Sequence, residues 1–367
     1  MVAYLFLICN RLFDLGLKCG IYYQIFNNED WRNMSDMTKC PELFPYKPIN
    51  GILPVVYENI SDALDALLEI SKSMESPYLR EIKPCVVLAL KWRFDYLSKT
   101  GESPFALKQD VNYWINFLRT SARLSEQNWF HKEAPYAGTD PWERTRKAFN
   151  YMWPRNTNNG QHFISSKIAT LRVEQIVSML PGGSDWLSGK TILDAGCGPG
   201  RYVSALLGRG PKKVIGIDSG KDIMAENSKR FADHSNVGLV IGSADQLSFS
   251  DNSFDFVVSA GVLHHLSAPI EESIREHSRV LSPGGHFFIF IVGSGGLELK
   301  LWEFMRNFLY DIPVEEMFNR FNGKIHPLRL QGLLDHGYGE YQHTAREDCE
   351  RWLSKCFSSV RRVPGIP

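Results

Sequence analysis

Through the second half of the chain, short apolar runs alternate with longer stretches whose apolar residues recur every three or four positions. The runs inside "KTILDAG", "KKVIGID", "VGLVIGSA", "SFDFVVSAG" and "HFFIFIVG" read as five short strands. The stretches "SKIATLRVEQIVSML", "RYVSALLGRG", "KDIMAENSKRFADH" and "APIEESIREHSRVLSPGG" read as helices, the last stopped by Pro283-Gly284-Gly285. Strands that are apolar almost throughout are buried on both faces. Their alternation with helices predicts a doubly wound, mostly parallel α/β sheet of the Rossmann-like kind. "FSSVRRVPGIP", at the end of the chain, supplies a sixth strand.

The first third has a different pattern. "SDALDALLEISKSM" repeats Leu64, Leu67, Leu68 and Ile70 near a helical period, with Ser61 as its N-cap. "CVVLALKWRFDYLSK" and "LKQDVNYWINFLRTSARL" continue in the same style, whereas "CPELFPYKPINGILP" is proline-rich and irregular. The pattern divides the chain into a helical domain over residues 1–135, a linker or cap over 136–164 containing Trp142, Tyr151 and Trp153, and the α/β domain over 165–367. At the N-terminus, the apolar run Val2–Cys9 is broken by Arg11 and Asp14. A membrane span needs about 20 apolar residues, so a buried helix is expected, with no stable membrane insertion.

A long insertion separates the fifth strand from the helix "AREDCERWLSK". It contains an apolar helix with Leu301, Trp302, Phe304, Met305 and Phe308, and glycines 293, 295 and 296 stand at its start. Thr344 and Glu347 have the spacing of a capping box for the helix that follows. Both 142–163 and 297–343 are rich in aromatics and lie outside the strand-helix alternation. A cover that closes over the site is expected from them, against the competing reading that they join two domains.

Composition narrows the function. Lys+Arg and Asp+Glu both number 41, a net charge of +0. A dedicated nucleic-acid binder usually carries a basic excess, so no nucleic-acid partner is expected. The seven cysteines include no CxxC pair, so neither a metal site nor a disulfide framework is indicated. A reducing, cytoplasmic setting fits best.

Chemistry concentrates in "LDAGCGPG", residues 193–200. A glycine turn after a strand lets the backbone approach a ligand closely. Gly196, Gly198 and Gly200 are spaced GxGxG, and Arg201 stands next, where a dinucleotide turn would continue differently. Asp218 ends the second strand, where an acid accepts both hydroxyls of a ribose. Asp245 follows the third strand, where it can accept from an adenine amino group. Loops at the carboxyl ends of neighbouring strands converge on one crevice, here shaped for an adenosine with a polar tail.

"ILDAGCGPG", "VIGID", "GSADQLSFSDNSFDFVVSAGVLHHL" and "EHSRVLSPGGHFFIF" together resemble the class I S-adenosylmethionine-dependent methyltransferases, and within them the small-molecule branch that includes ubiquinone and menaquinone C-methyltransferases. The resemblance covers roughly 165–357 and leaves the N-terminal third uncovered. It implies S-adenosylmethionine as cofactor. Asp194, Gly196, Cys197, Gly198 and Gly200 would hold its methionine part, Asp218 and Ser219 its ribose, and Ala244 and Asp245 its adenine. Ser259 and Gly261 would line the path of the methyl group, and Asp255 would be structural, capping a strand entrance. Family members usually add an antiparallel seventh strand; here it is either absent or replaced by another segment, which leaves the sheet edge open to both readings.

His265, and less so His264, are the candidate proton acceptors, because they follow the fourth strand and histidine titrates near working pH. Trp153, Trp302, Tyr338, Tyr341 and His343 are the candidate substrate contacts. The function expected is methyl transfer to a small organic acceptor at oxygen, nitrogen, sulfur or carbon. "SAGVLHHL" lacks the Asn/Asp-Pro-Pro-aromatic tetrapeptide of nucleic-acid amino-methyltransferases. The alternative is a catalytically silent S-adenosylmethionine-binding partner subunit.

Overall fold

The apolar runs form a single parallel sheet in a computed structural model that describes residues 59–73, 77–100, 105–124, 140–156, 162–294 and 297–363. Strands β1 (Thr191–Ala195), β2 (Lys213–Asp218), β3 (Val237–Ile241), β4 (Phe254–Ala260) and β5 (Leu281–Phe290) lie in the order β3-β2-β1-β4-β5. The chain winds outward from β1 to β3 and then crosses back to β4. The order therefore reverses between β1 and β4, the point where ligands bind in such sheets. In register, Asp194 lies opposite Gly216 and Val258, and Asp218 opposite Ile241. Ile192, Leu193, Val257 and Val258 are wholly buried at the centre. Asp255 is structural: its Oδ2 accepts from the Thr191 amide at 2.8 Å, which fixes the start of β1 to β4.

Helices are numbered in chain order: α1 (Ile60–Ser73), α2 (Pro77–Thr100), α3 (Phe105–Leu124), α4 (Pro141–Asn156), α5 (His162–Ser178), α6 (Arg201–Leu207), α7 (Lys221–Arg230), α8 (Ile270–Val280), α9 (Leu297–Phe308), α10 (Val314–Phe321), α11 (Pro327–Tyr338) and α12 (Arg346–Cys356). Among the described residues no helix is long and apolar enough to cross a membrane. The expectations for Val2–Cys9, for the proline-rich stretch and for Gly295 and Gly296 lie outside the described residues.

Several ends differ from the sequence pattern. The N-cap of α1 is Asn59, whose Oδ1 accepts from the Ser61 amide at 2.7 Å. The capping box does not form: Ala345 is the N-cap of α12, and Thr344 is held in a bridge to Gly293. Helix α8 stops at Val280, and β5 already begins at Leu281, with an irregularity opposite Phe254 and Phe256. Residues 357–363 form no sixth strand. Phe357 instead stacks on Phe287 on one face of β5, at 5.7 Å, while Val363 packs on the other face beside Phe288. Arg362 pairs with Glu350 of α12 at 2.7 Å. The tail thus wraps the sheet edge, because its aromatic and its arginines gain more from these contacts than from a ladder.

The insertion belongs, by its packing, with the N-terminal helices. Leu301, Trp302, Phe304, Met305 and Phe308 of α9 share one core with Leu64, Leu67, Val86, Leu90, Leu107 and Ile115. The apolar positions of α9 form one wide face that enters this core, while Lys300, Glu303 and Asn307 stay exposed. Ion pairs across the join reinforce it, with Lys83–Asp311 and Arg80–Glu316 both at 2.7 Å. Burial lowers the pKa of Lys83, and the Asp311 carboxylate opposes that shift. The helical domain is therefore discontinuous in sequence, which differs from division into consecutive blocks. These aromatics join the two parts, as the competing reading had it. Helix α4 serves both sides: Ala148 and Met152 enter the helical core, while Trp153 also reaches the core of the sheet.

A shared core has a measurable consequence. Phe308→Ala should lower stability by about 3–5 kcal/mol in denaturant titration. Hydrogen exchange should show the loss in α1 and α3 as well as in α9. Loss confined to α9 would contradict a shared core.

Candidate active site

The glycine turn is pinned to the neighbouring strand. The Ile217 carbonyl accepts from the amides of Gly196 and Cys197, at 2.8 and 2.9 Å. Two positions admit only glycine. Gly196 has φ +78° and a Cβ there would overlap the Val262 side chain; Gly200 has φ +75° and a Cβ there would lie 2.6 Å from the Phe231 ring. The turn is closed from α7 by Asn227, whose Nδ2 donates to the Gly198 carbonyl at 2.7 Å. Cys197 is buried and packs against Met224 at 3.7 Å.

Asp194 is 2% exposed, and its Oδ2 is enclosed with no hydrogen-bond partner. Burial pushes its pKa up to about 7, with Arg201 pulling it down and Asp218 pushing it further up. A buried carboxylate oxygen without a donor is costly unless a ligand supplies one. The Asp218 carboxylate accepts from the amides of Gly198 at 2.8 Å and Gly220 at 2.9 Å, so it organises the turn. Burial raises its pKa, and the amides of Gly220, Gly198 and Ser219 oppose the shift. Two oxygens accept about four hydrogen bonds, which leaves capacity for a diol. Asp245 accepts from the Ser243 hydroxyl, and Ala244 is buried beside it. Ser259 is fully enclosed, and its hydroxyl has no partner, so it does not line an open path. Gly261 bends away with φ +77°, its amide donating to the Phe290 carbonyl at 2.9 Å.

The histidines differ from the sequence expectation. His264 is 2% exposed; its Nδ1 accepts from the Val292 amide at 3.2 Å and its carbonyl accepts from the Gln342 amide at 2.7 Å. Burial, helped by His265 and His343, lowers its pKa to about 2. His264 is thus a neutral joint between the end of β4 and the segment after α11. His265 donates from Nδ1 to the Glu340 carbonyl at 2.7 Å, with Phe149 edge-on at 4.7 Å and Tyr341 at 4.4 Å. Burial lowers its pKa to about 3. The imidazole is neutral at pH 7, and its Nε2, 3.7 Å from Asp335 Oδ1, makes neither an ion pair nor a hydrogen bond. Neither histidine titrates near working pH.

The substrate candidates divide. Trp153 lies on the cofactor side, with the Arg201 guanidinium 5.0 Å from its ring. Tyr341 touches His265. Tyr338 is a core residue, 1% exposed, whose hydroxyl donates to the Ile312 carbonyl at 2.9 Å. Trp302 is buried and stacks on His336 at 3.9 Å. His343 is exposed and, with Arg144, Arg306, Tyr310 and Tyr341, lines a cavity of about 440 Å³ in the helical cap. Tyr341 stands between that cavity and the histidines.

Three residues reach this site with no motif to announce them. Phe149 of α4 packs on His265, and Asp335 of α11 faces the same ring. Asn150 of α4 lies against the ribose-acid loop: a Cβ on Gly220 would sit 2.8 Å from Asn150 Oδ1 and 3.2 Å from Asp218 Oδ1. Only packing of α4 and α11 over the strand ends brings them there.

Residues 193–289 match a family model described as a methyltransferase domain. The chain is 31% identical over 106 residues to a tRNA U34 carboxymethyltransferase of Campylobacter curvus, covering 28% of this chain and 35% of that one. It is 37% identical over 101 residues to a protein of the same description from Shewanella sediminis, covering 27% and 30%. The match thus spans about a third of these relatives' length. Among solved structures, an S-adenosylmethionine-dependent methyltransferase of Mesorhizobium loti is 28% identical over 30% of this chain and 48% of that chain, with a TM-score of 0.27. The α/β part is a class I methyltransferase domain, and S-adenosylmethionine is its cofactor. The tRNA-modifying relatives overturn the expectation that nucleic acid plays no part. That expectation rested on net charge, which averages over the whole surface and says nothing about local contacts.

The pinned turn is testable without any ligand. Gly200→Ala should destabilise the protein by about 1–3 kcal/mol, since positive φ and the Phe231 ring both oppose a side chain. Thermal melting beside Gly208→Ala, at a glycine of negative φ with no crowding atom, measures it. Equal melting temperatures for the two variants would refute the assignment.

Proposed function

We propose that this protein transfers a methyl group from S-adenosylmethionine to a nucleophile carried by RNA. The observation that carries the cofactor half is the buried, partnerless Asp194 Oδ2 beside a glycine turn that excludes side chains. In this reading Asp194 receives the ammonium of the methionine part, and Gly196, Cys197, Gly198 and Gly200 leave room for it. Asp218 and Ser219 take the ribose, with Asn150 closing on that loop from α4, and Ala244 and Asp245 take the adenine. When bound, the cofactor supplies a methyl group on a sulfonium, already strongly electrophilic. The chain's own part is to hold the acceptor in line and exclude water.

The RNA acceptor is supported by the relatives described as tRNA U34 carboxymethyltransferases, which match 27–28% of this chain. Flat faces at Trp153, Phe149 and Tyr341, with Arg201 among them, suit a base splayed out of a strand. The setting proposed is the cytoplasm, where reduced cysteines such as Cys197, Cys349 and Cys356 persist. Incubation with S-adenosylmethionine labelled in its methyl group, together with unfractionated tRNA and a metabolite extract, should label the RNA fraction. Label confined to metabolites would make the acceptor a small organic molecule. Binding of S-adenosylhomocysteine with no labelled product would favour the silent partner subunit.

Two variants test the cofactor contacts. Asp218→Ala should weaken S-adenosylhomocysteine binding by about 10–100-fold, the loss of a charge-assisted hydrogen bond of about 1.5–3 kcal/mol. Unchanged affinity by calorimetry in a folded variant would remove the ribose assignment. Asp194 sets a pH dependence. An ammonium favours its ionised form, so affinity should rise with pH toward about 7 and level off above it. Asp194→Asn should flatten that rise; an unaltered slope would place the ammonium elsewhere.

A further inference from the structure

Asp335 stands on α11, outside the residues that match the methyltransferase domain, yet its carboxyl reaches the cofactor side of the molecule. Its Oδ1 accepts from the Tyr341 hydroxyl at 3.4 Å and lies 3.7 Å from His265 Nε2. Its Oδ2 has no hydrogen-bond partner among the described residues, and the side chain remains 26% exposed. The charge of Arg201, which follows the glycine turn, acts on Asp335 as it does on Asp194. A carboxyl held by one oxygen, with the other open, beside the cofactor loop, is placed to meet an acceptor.

We propose that Asp335 is the proton acceptor of the methyl transfer, taking the acceptor's proton on Oδ2 while Tyr341 holds Oδ1. The proposal rests on the reading above. His265 cannot fill this role. Its Nδ1 is bound to the Glu340 carbonyl, its ring is boxed by Phe149 and Tyr341, and burial makes its conjugate acid too strong. It stands instead as a neutral neighbour, its Nε2 3.7 Å from Asp335 Oδ1. Burial moves Asp335 the other way, to about 6, against Arg201 and the Tyr341 hydrogen bond, which both pull it down. The groups that act on it are therefore Arg201, Tyr341 and a neutral His265. A base near 6 is ionised at pH 7 and remains basic enough to take a proton during the step. The acceptor X–H gives its proton to Asp335 and its lone pair to the methyl carbon. The carbon–sulfur bond breaks with its electron pair staying on sulfur, and the proton then passes from Asp335 to solvent.

The test compares wild type, Asp335→Asn and Asp335→Glu. Initial transfer rates are measured between pH 5 and 8.5 into whichever of tRNA or metabolite extract the wild type labels. S-Adenosylhomocysteine affinity and carbon-13 carboxyl spectra are recorded alongside. The wild-type rate should fall with decreasing pH below about 6, and one carboxyl resonance absent from Asp335→Asn should titrate there. Asp335→Asn should lose about 10²–10⁴-fold in rate with its S-adenosylhomocysteine affinity and melting temperature kept, and Asp335→Glu should recover part of the loss. A rate within threefold of wild type in Asp335→Asn, or a carboxyl that titrates only below 4.5, overturns the assignment and leaves the reading of function standing. No transfer by the wild type into either pool overturns that reading, and Asp335 as base falls with it.

Discussion

One carbonyl oxygen organises the cofactor half of this protein. By accepting from both Gly196 and Cys197, the Ile217 carbonyl ties the turn after β1 to the end of β2. The turn must then double back within a very small radius, and this is possible only with positive φ at Gly196 and Gly200, where Val262 and Phe231 leave no room for a Cβ. Asp218 completes the arrangement by accepting from Gly198 and Gly220, so the acid expected to meet the ribose also shapes the loop that would hold the methionine part. Asp194 is left beneath it with one oxygen unserved, a local cost that a cationic group would remove.

The helical part solves a different problem. Helix α9 carries a wide apolar face, and the sheet faces are already covered by the flanking helices and the C-terminal tail. That face is covered by the N-terminal helices together with α11, and the Lys83–Asp311 and Arg80–Glu316 pairs fix how the two parts meet. Arg144 of α4 adds two hydrogen bonds, to the carbonyls of Arg306 at 3.1 Å and Gly337 at 3.2 Å, which join α4, α9 and α11. That joint decides where α4 and α11 sit above the strand ends, and hence where Asn150, Phe149 and Asp335 fall.

The site therefore has two authors. The α/β part supplies the turn and the acids of the cofactor crevice. The cap supplies aromatic walls and a carboxyl of raised pKa, and the two meet at the neutral histidines after β4. His264 connects them through backbone bonds to Val292 and Gln342. His264 Nδ1 and His265 Nδ1 are each held by a backbone group, and this fixes the two rings as struts although histidine is the usual proton carrier.

What the sequence by itself determined was local. Short apolar runs and period-3.6 patterns place five strands and most helices, and the spacing of Gly196, Gly198 and Gly200 before Arg201 marks the turn, because these features depend on neighbours within a few residues. Asp218 and Asp245 were singled out for the same reason: Asp218 ends β2 and Asp245 lies in the loop after β3, and parallel register brings these ends together. The tertiary structure decided everything that depends on distant partners. The domain of α1 to α3 is completed by residues more than two hundred positions later, a pairing no local period records. His265 reads as a base in sequence but is neutral because Glu340, Phe149 and Tyr341 enclose it. Trp302 reads as a substrate contact but is packed in the core, and Tyr338 is nearly buried yet borders the cavity of the cap, since an aromatic at a helical position looks the same in either role. Asp335 carries no motif at all; its environment comes from burial beside Tyr341 and Arg201, and burial is a property of the fold, not of the residue.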